Sequence, residues 1–126
     1  MNIAVLIACY NRKKLTIKCL ETLEKSLDKV QNINVQYFIL DDNSSDGTKQ
    51  YIENHYSYVN IISGTGNLFW TGGMIEAFKL SEKSNMNFEG YLLVNDDVIF
   101  NINCFELLNK NIVMAKQISN QFILVG

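Results

Sequence analysis

The chain has 126 residues, a net charge of −2 and no basic run, with 48% hydrophobic and 19% charged residues. This length suits one compact domain, the charge argues against a dedicated nucleic-acid-binding protein, and no apolar run approaches the roughly 20 residues that span a bilayer. The three cysteines, Cys9, Cys19 and Cys104, form no CxxC pair, and His55 is the single histidine. We therefore expect a reduced, cytoplasmic chain without a disulfide framework or a histidine-based zinc site.

Short apolar runs alternate with segments of helical periodicity along the whole chain. Strands are predicted at residues 3–8, 35–40, 59–62, 90–95 and 121–125. Helices are predicted between them: from a cap at Asn11 with Leu15 to Leu27 on its apolar side, over about 46–56, after a Gly-rich loop at 63–73, and around Ile102 to Ile112. This alternation predicts a single α/β domain, residues 1–126, with a mostly parallel sheet and helices on both faces.

Polar clusters follow the first four predicted strands. They are "CYNR" (9–12), "DDNSSDGT" (41–48), "SGTGNLFWTGG" (63–73) and "NDD" (95–97). Each cluster alone is typical of a turn, but the carboxyl ends of parallel strands meet at one edge of a sheet, where ligands bind. Four clusters with two carboxylate pairs predict a site there for a cation and an anionic ligand.

Three common α/β families fail on their motifs. No GxGxxG follows the first strand, and there is no GxxxxGK[ST] phosphate loop. A phosphoacceptor receiver domain would need an acidic pair after the first strand and a lysine after the fifth, where this chain has "CYNR" and Gly126.

Four segments, in order, resemble family 2 glycosyltransferases of the GT-A fold. These are "VLIACYNR" (5–12), "FILDDNSSDGT" (38–48), "GTGNLFWTGGMIEAF" (64–78), which is similar to rhamnosyltransferase-like members, and "LLVNDDV" (92–98). The resemblance implies the Rossmann-like, nucleotide-sugar-binding half of such an enzyme. It also implies inverting, metal-dependent transfer from a UDP- or dTDP-type donor to a hydroxyl of a saccharide or lipid-linked acceptor.

The resemblance also assigns the acidic residues. Asp97 would ligate Mg²⁺ or Mn²⁺, and Asp96 would contact the ribose or share the metal. The motif reads Asn-Asp-Asp where the family pattern is Asp-x-Asp, a departure that is common in the family. Asp42 would accept the N3–H of uracil or thymine, and Asp41 would support it or the metal side. Asp46, with the serines before it, is expected to form the turn and cap the next helix.

The remaining predicted site residues come from the first strand and the Gly-rich loop. Ala8 and Tyr10 match positions that flank the base, where Tyr10 would stack on it or, alternatively, lie in the core. Asn67, Gly72 and Gly73 would bind the nucleotide where the loop opens a helix N-terminus, which favours an anion. Trp70 would cover the nucleotide or the donor sugar, although a packing role is favoured. Arg12 would contact a phosphate, although a position on the exposed surface is favoured. Cys9 is expected in the core.

The acceptor-binding half of the family, with its catalytic base, would lie beyond Gly126, so we expect this fragment alone to be inactive. The resemblance implies bacterial surface polysaccharide or O-antigen assembly at the inner membrane face, and pairing through the edge of the fifth strand would give a homodimer. Two alternatives stay open: a non-catalytic nucleotide–metal binding module, and a sugar nucleotidyltransferase. The latter would need a Gly-rich loop after the first strand, and "CYNR" supplies no glycine.

Overall fold

Strands and helices alternate in a computed structural model that describes residues 1–121 and 123. The elements are β1 (Asn2–Cys9), α1 (Lys13–Leu27), β2 (Asn34–Asp41), α2 (Thr48–His55), β3 (Val59–Ser63), α3 (Phe69–Glu82), β4 (Gly90–Asn95) and α4 (Cys104–Lys116). None of these helices is both long and apolar enough to cross a membrane. The strand expected at 121–125 lies largely outside the described residues; of its members only Gln121 and Ile123 are described, and neither is in a strand.

The sheet places β1 near its centre, in the order β3-β2-β1-β4, and all the described pairings are parallel. Ala8 of β1 is level with Leu40 of β2 and with Asn95 of β4, and Ser63 of β3 is level with Asp41. The four strands therefore end at one level, and the segments that follow them meet at one edge. The predicted α/β class with a parallel sheet is confirmed.

Two apolar layers hold the helices against opposite faces of the sheet. Alternate β1 residues point to opposite faces, so Ile3, Val5 and Ile7 join the core under α1, α2 and α4. Ala4 and Leu6 join the core under α3. Each fully buried valine, leucine or isoleucine side chain in these layers stabilises the folded state by about 1.5–3 kcal/mol. Helices on both faces, as the sequence predicts, follow from this alternation.

The first helix begins differently from the prediction. Asn11 does not cap it: α1 has Arg12 at its N-cap position, without a side-chain capping hydrogen bond. Asn11 instead takes a left-handed φ of 49°, and its side-chain oxygen accepts a hydrogen bond from the Ser45 N–H at 2.7 Å. Leu15 and Ile102, expected on apolar helix faces, are exposed. The capping prediction for Asn11 is wrong because this side chain joins the loop after β1 to the loop after β2.

One carboxylate serves the starts of two helices. Asp46 accepts hydrogen bonds from the Lys13 N–H at 2.9 Å and from the Thr48 N–H at 3.1 Å, the first residues of α1 and α2. Although slight desolvation of this exposed side chain works against ionisation, these bonds and one from the Thr48 hydroxyl hold the pKa of Asp46 below its ordinary value. The capping role predicted for Asp46 is confirmed, and it extends to α1.

Asp46 should make stability depend on pH in the acid range. A carboxylate with a lowered folded-state pKa contributes stability that is present above its unfolded pKa and is lost as the pH falls through the folded value. Asp46→Asn should therefore cost about 0.5–1 kcal/mol near pH 7 and almost nothing near about pH 2. Urea unfolding at both pH values measures this, with Asp28→Asn as an exposed control. An equal cost at both pH values would contradict the assignment.

Candidate functional site

A cleft of about 350 Å³ lies at the carboxyl edge of the sheet. Its lining comes from the ends of β1, β2 and β4 and from the start of α3, and consists of Ala8, Cys9, Tyr10, Arg12, Asp42, Gly66, Phe69, Trp70, Asn95, Asp96 and Asp97. Five of the nine residues predicted from the sequence are among them: Ala8, Tyr10, Asp42, Asp96 and Asp97. The structure thus brings together residues that are up to 89 positions apart (8 to 97).

The acidic pair after β4 is bridged by an arginine from the loop after β1. Arg12 Nη1 lies 3.2 Å from Asp96 Oδ1 and 3.2 Å from Asp97 Oδ2. The Asp96 side chain is only 9% exposed, whereas those of Asp97 and Arg12 are about half exposed. Because β1 and β4 are neighbours, Arg12 meets carboxylates 84 and 85 residues away. Arg12 is exposed, as expected, and it also pairs with both carboxylates, whereas its contact with a phosphate stays a prediction.

Burial sets the protonation behaviour of this corner of the cleft. It raises the pKa of the Asp96 carboxyl above its ordinary value; Arg12 works against the rise, and Asp97 adds to it. Burial likewise raises the pKa of the Cys9 thiol, and the charges of Asp41 and Asp96 raise it further. A thiol with a raised pKa is a poor nucleophile. Cys9 is therefore a buried wall of the cleft, in agreement with its predicted core position.

Asp42 organises the Gly-rich loop and the start of α3. Its Oδ1 accepts a hydrogen bond from the Gly66 N–H at 2.7 Å. Its Oδ2 accepts from the Leu68 N–H at 2.9 Å and the Phe69 N–H at 3.2 Å, so the carboxylate caps the helix. Gly64 is required beside it, because a Cβ at that position would lie 2.5 Å from Asp42 Oδ1. A carboxylate oxygen has two lone-pair sites, and among the described residues Oδ1 accepts one hydrogen bond, so it retains a second acceptor site.

Asp41 has a different environment from its neighbour. It is buried, and its Oδ1 accepts a hydrogen bond from the Ser44 N–H at 2.9 Å, which closes the turn after β2. Its backbone oxygen accepts from the Gly64 N–H at 2.7 Å. Asp41 is not among the cleft-lining residues. These contacts give it a turn-forming part, and its role toward a nucleotide or metal stays a prediction.

Three exposed aromatic side chains, those of Tyr10, Phe69 and Trp70, form another part of the cleft lining. Tyr10 is 54% exposed, which excludes the alternative of a core tyrosine. Trp70 is 49% exposed and lines the cleft, which favours the alternative of covering a ligand over a packing role, and that contact stays a prediction. Phe69 is 79% exposed and has a φ of 54°, a left-handed conformation that is rare for a bulky residue. The three rings therefore offer apolar surface to a planar or sugar-like ligand.

Gly72, Gly73 and Asn67 lie outside the cleft lining. The helix begins at Phe69, so both glycines lie inside α3. The sequence predicts instead that they open its N-terminus. A Cβ on Gly73 would lie 2.7 Å from Ala8 Cβ, which makes this glycine a close-packing position against β1. Asn67 is exposed in the loop. The expected placement of the glycines is corrected, and contact of the three residues with a nucleotide stays a prediction.

The sequence profile described as "Glycosyl transferase family 2" matches residues 4–113. This range includes most of β1, all of β2 to β4, α1 to α3, most of α4 and every residue that lines the cleft. The chain belongs to glycosyl transferase family 2. The family resemblance stated from the four sequence segments is thereby confirmed, while the similarity to rhamnosyltransferase-like members stays a prediction.

Solved structures share the fold of this family 2 chain. TarS 1-349 from S. aureus in complex with UDP superposes with a TM-score of 0.68 at 22% identity, over 90% of this chain and 32% of that chain. A mannosyltransferase from Pyrobaculum calidifontis, PcManGT, in complex with GDP-Man and Mn²⁺, gives a TM-score of 0.56 at 16% identity, over 80% of this chain and 29% of that chain. The chain thus spans about a third of the length of these proteins. A search of curated proteins finds no match.

Six residues of the cleft lining are not among the predicted site residues: Cys9, Arg12, Gly66, Phe69, Trp70 and Asn95. Cys9 was expected in the core, and ligand contact was only an alternative for Arg12 and Trp70. A signal for Phe69 and Trp70 existed, because two adjacent aromatic residues in a Gly-rich loop have little core to enter. No signal existed for the contact of Arg12 with the acidic pair, since it depends on β1 and β4 being neighbours.

The donor atoms at the acidic pair fit a divalent cation that is shared with a ligand. Asp96 and Asp97 supply carboxylate oxygens, which Mg²⁺ and Mn²⁺ prefer. Among the described residues, however, no group of three or more His, Cys, Asp or Glu side chains could hold a metal ion. Mg²⁺ in proteins is often held by one or two carboxylates together with substrate phosphates and water. The pair therefore fits such a shared cation, and not a site built from protein ligands alone.

Proposed function

We propose that this chain is the donor-binding part of an inverting glycosyltransferase. The donor is a nucleoside diphosphate sugar of the UDP or dTDP type, and the acceptor is a hydroxyl of a saccharide or lipid-linked molecule. Asp96 and Asp97 would hold Mg²⁺ or Mn²⁺ together with the diphosphate. The supporting comparisons are the family match over residues 4–113 and the shared fold of TarS in complex with UDP and of PcManGT in complex with GDP-Man and Mn²⁺.

One observation carries the proposal. The acidic pair and its arginine share one cleft with three exposed aromatic residues, at the carboxyl edge of a parallel sheet. A nucleoside diphosphate has the matching parts, since its base and sugar are planar or apolar-faced and its diphosphate is anionic and binds cations. Ligands of open α/β sheets occupy this edge. The cleft therefore has polar and apolar groups of the right kinds for both ends of such a molecule.

At the base end, Asp42 and Tyr10 are the groups that would act. The Asp42 oxygen Oδ1 has one protein hydrogen bond, from Gly66, and so can accept a second one from the N3–H of uracil or thymine. The exposed ring of Tyr10 would stack on the base. The N-terminus of α3 contributes less to anion binding than the sequence suggested, because Asp42 already accepts from its first N–H groups.

At the diphosphate end, the charge of the leaving group must be stabilised as it grows. When bound, the cation supplies that stabilisation as a Lewis acid. Arg12 provides a second positive charge beside the acidic pair. The acceptor hydroxyl would attack the anomeric carbon from the face opposite the diphosphate and give its proton to a general base. We propose that this base belongs to an acceptor-binding part beyond Gly126.

The proposed setting is the assembly of a bacterial surface polysaccharide or O-antigen. The chain would work in the cytoplasm, at the inner face of the membrane, where nucleotide sugars and lipid-linked acceptors meet. A homodimer that pairs through the edge of the fifth strand predicted at 121–125 remains part of this proposal. These finer assignments depend on the family resemblance.

Calorimetric titration with UDP, dTDP and GDP tests the donor site. With Mn²⁺ present, UDP or dTDP should bind at least about tenfold more tightly than without it, because Asp97 would hold the cation together with the diphosphate. Asp97→Ala should abolish the effect of Mn²⁺. A preference among the three nucleotides would indicate which nucleotide base the sugar donor carries.

The matched control is Asp28→Ala, which removes one carboxylate from an exposed position at the C-terminal end of α1. It should bind like the unmodified chain. The proposal is contradicted if no nucleotide binds to the folded chain, or if Mn²⁺ strengthens binding equally in the Asp97→Ala variant. Circular dichroism of each variant verifies that the fold is intact.

A further inference from the structure

Arg12 occupies a position that distinguishes it from an ordinary surface arginine. A single nitrogen, Nη1, contacts one oxygen of each carboxylate of the acidic pair, at 3.2 Å in both cases. Within the described part of the chain, Arg12 is the only ion-pair partner of Asp96 and of Asp97. The positive charge therefore lies between the two carboxylates, where a divalent cation shared by them would also have to lie.

The two carboxylates need this charge when no ligand is present. Asp96 is almost fully buried, and a buried carboxylate beside a second negative charge is costly unless a cation pairs with it. Arg12 provides that cation from within the chain. A divalent cation arriving alone would have to displace the guanidinium and leave it without an anionic partner.

The Arg12 side chain can exchange one anionic partner for another while its backbone stays in place. The backbone of Arg12 is fixed as the N-cap of α1, and its oxygen accepts hydrogen bonds from the Thr16 N–H at 2.9 Å and the Thr16 hydroxyl at 3.0 Å. Its side chain is 52% exposed and lines the cleft. Guanidinium has five N–H donors, and all of its hydrogen bonds in the described structure come from Nη1. Donors therefore remain for an anion in the cleft.

We propose that Arg12 is an internal counter-cation that competes with a divalent metal for Asp96 and Asp97, and that a diphosphate ends this competition by binding the guanidinium. The inference rests on the proposed donor site and adds a positioning residue to it. A bare metal ion then binds weakly, because it must evict Arg12. Metal and nucleoside diphosphate bind cooperatively, because the diphosphate gives Arg12 a new partner while the metal takes over the carboxylates.

Binding of Mn²⁺ alone to the folded chain tests the competition without any nucleotide or turnover. Arg12→Gln removes the charge and should bind Mn²⁺ about tenfold more tightly than the unmodified chain. The same variant should bind UDP in the absence of metal at least about fivefold more weakly, so that the cooperativity between Mn²⁺ and UDP falls. Calorimetry measures both constants.

Two further variants separate this role from a structural one. Arg12→Lys keeps the charge and should leave the affinity for Mn²⁺ alone within about twofold of the unmodified value. Lys14→Gln removes an exposed cation from the first turn of α1 and should change neither constant. Thermal unfolding without ligand confirms that each variant is folded; if Arg12→Gln is not, the Lys variant is compared with an Arg12→Met variant.

The outcomes distinguish this inference from the donor-site proposal. If Arg12→Gln binds Mn²⁺ alone no more tightly than the unmodified chain, the competition is refuted, even where UDP binding still needs Mn²⁺ and Asp97. If no nucleotide binds but Arg12→Gln tightens Mn²⁺ binding, and adding Asp97→Ala removes that gain, the competition stands and the donor-site proposal fails.

Discussion

Replacing Asp42 with alanine is expected to lower the free energy of unfolding by about 2–4 kcal/mol. The carboxylate accepts backbone hydrogen bonds from Gly66, Leu68 and Phe69, at 2.7, 2.9 and 3.2 Å, and Asp42 itself is buried. Alanine would leave these donors unpaired in a partly buried place and remove the cap of α3. Urea unfolding measures the loss of stability, and titration with UDP should show that the variant no longer binds this nucleotide.

Asp42→Asn is the graded comparison, because the amide keeps one acceptor oxygen and loses the other. It should cost clearly less than Asp42→Ala. Gly64→Ala should resemble the alanine variant in instability, since the new Cβ would lie 2.5 Å from Asp42 Oδ1 and 3.1 Å from its Cα. A loss of UDP binding with unchanged stability in Asp42→Ala would mean that Asp42 serves the ligand only and that the hydrogen bonds to the loop contribute little.

Gly73→Val should lower the free energy of unfolding by about 3 kcal/mol. A Cβ at this position would lie 2.7 Å from Ala8 Cβ and 3.0 Å from Leu40 Cδ2, so α3 would have to move away from the sheet. The helix could not absorb this by a change of rotamer, because Ala8 has no flexible side chain. Thermal or urea unfolding of the variant measures the cost.

Gly72→Val provides the matched control in the same helix. Its Cβ would meet the side chain of Leu68 at 3.1 Å, and that side chain can shift by a few tenths of an ångström. We expect a loss below about 1 kcal/mol there. If Gly73→Val instead kept full stability and lost only nucleotide affinity, Gly73 would be a ligand-contacting glycine, as the sequence pattern first indicated, and the packing interpretation would be wrong.

Local sequence patterns predicted the strands and helices of the fold. Apolar runs of about six residues marked β1, β2 and β4 to within one residue at each end. For β1 and β2 the reason is that a strand buried on both faces needs an uninterrupted apolar segment. The start of α3 was less readable. Gly72 and Gly73 look like loop residues, yet both are helical. At Gly73, close packing against Ala8 outweighs the low helix propensity of glycine.

Part of the site could be predicted from the sequence for a similar reason. Parallel strands end at one edge, so the polar residues after them could be expected to meet, and Tyr10, Asp42, Asp96 and Asp97 do line one cleft. The sequence did not predict which groups each of these side chains contacts. Asp41 and Asp42 are adjacent and chemically alike, but only Asp42 lines the cleft, because side chains of successive residues near the end of a strand point in different directions.

The sequence by itself determined the α/β class, the order of the elements, the family and the positions of the polar clusters, because each is carried by local periodicity or by a contiguous motif. Only the tertiary structure decided that β1 lies between β2 and β4, and hence that Arg12 bridges Asp96 and Asp97 while Asp42 caps α3. These contacts join residues 26 to 85 positions apart. They follow from the order of the strands in space, which the hydrophobic pattern of any single strand does not encode.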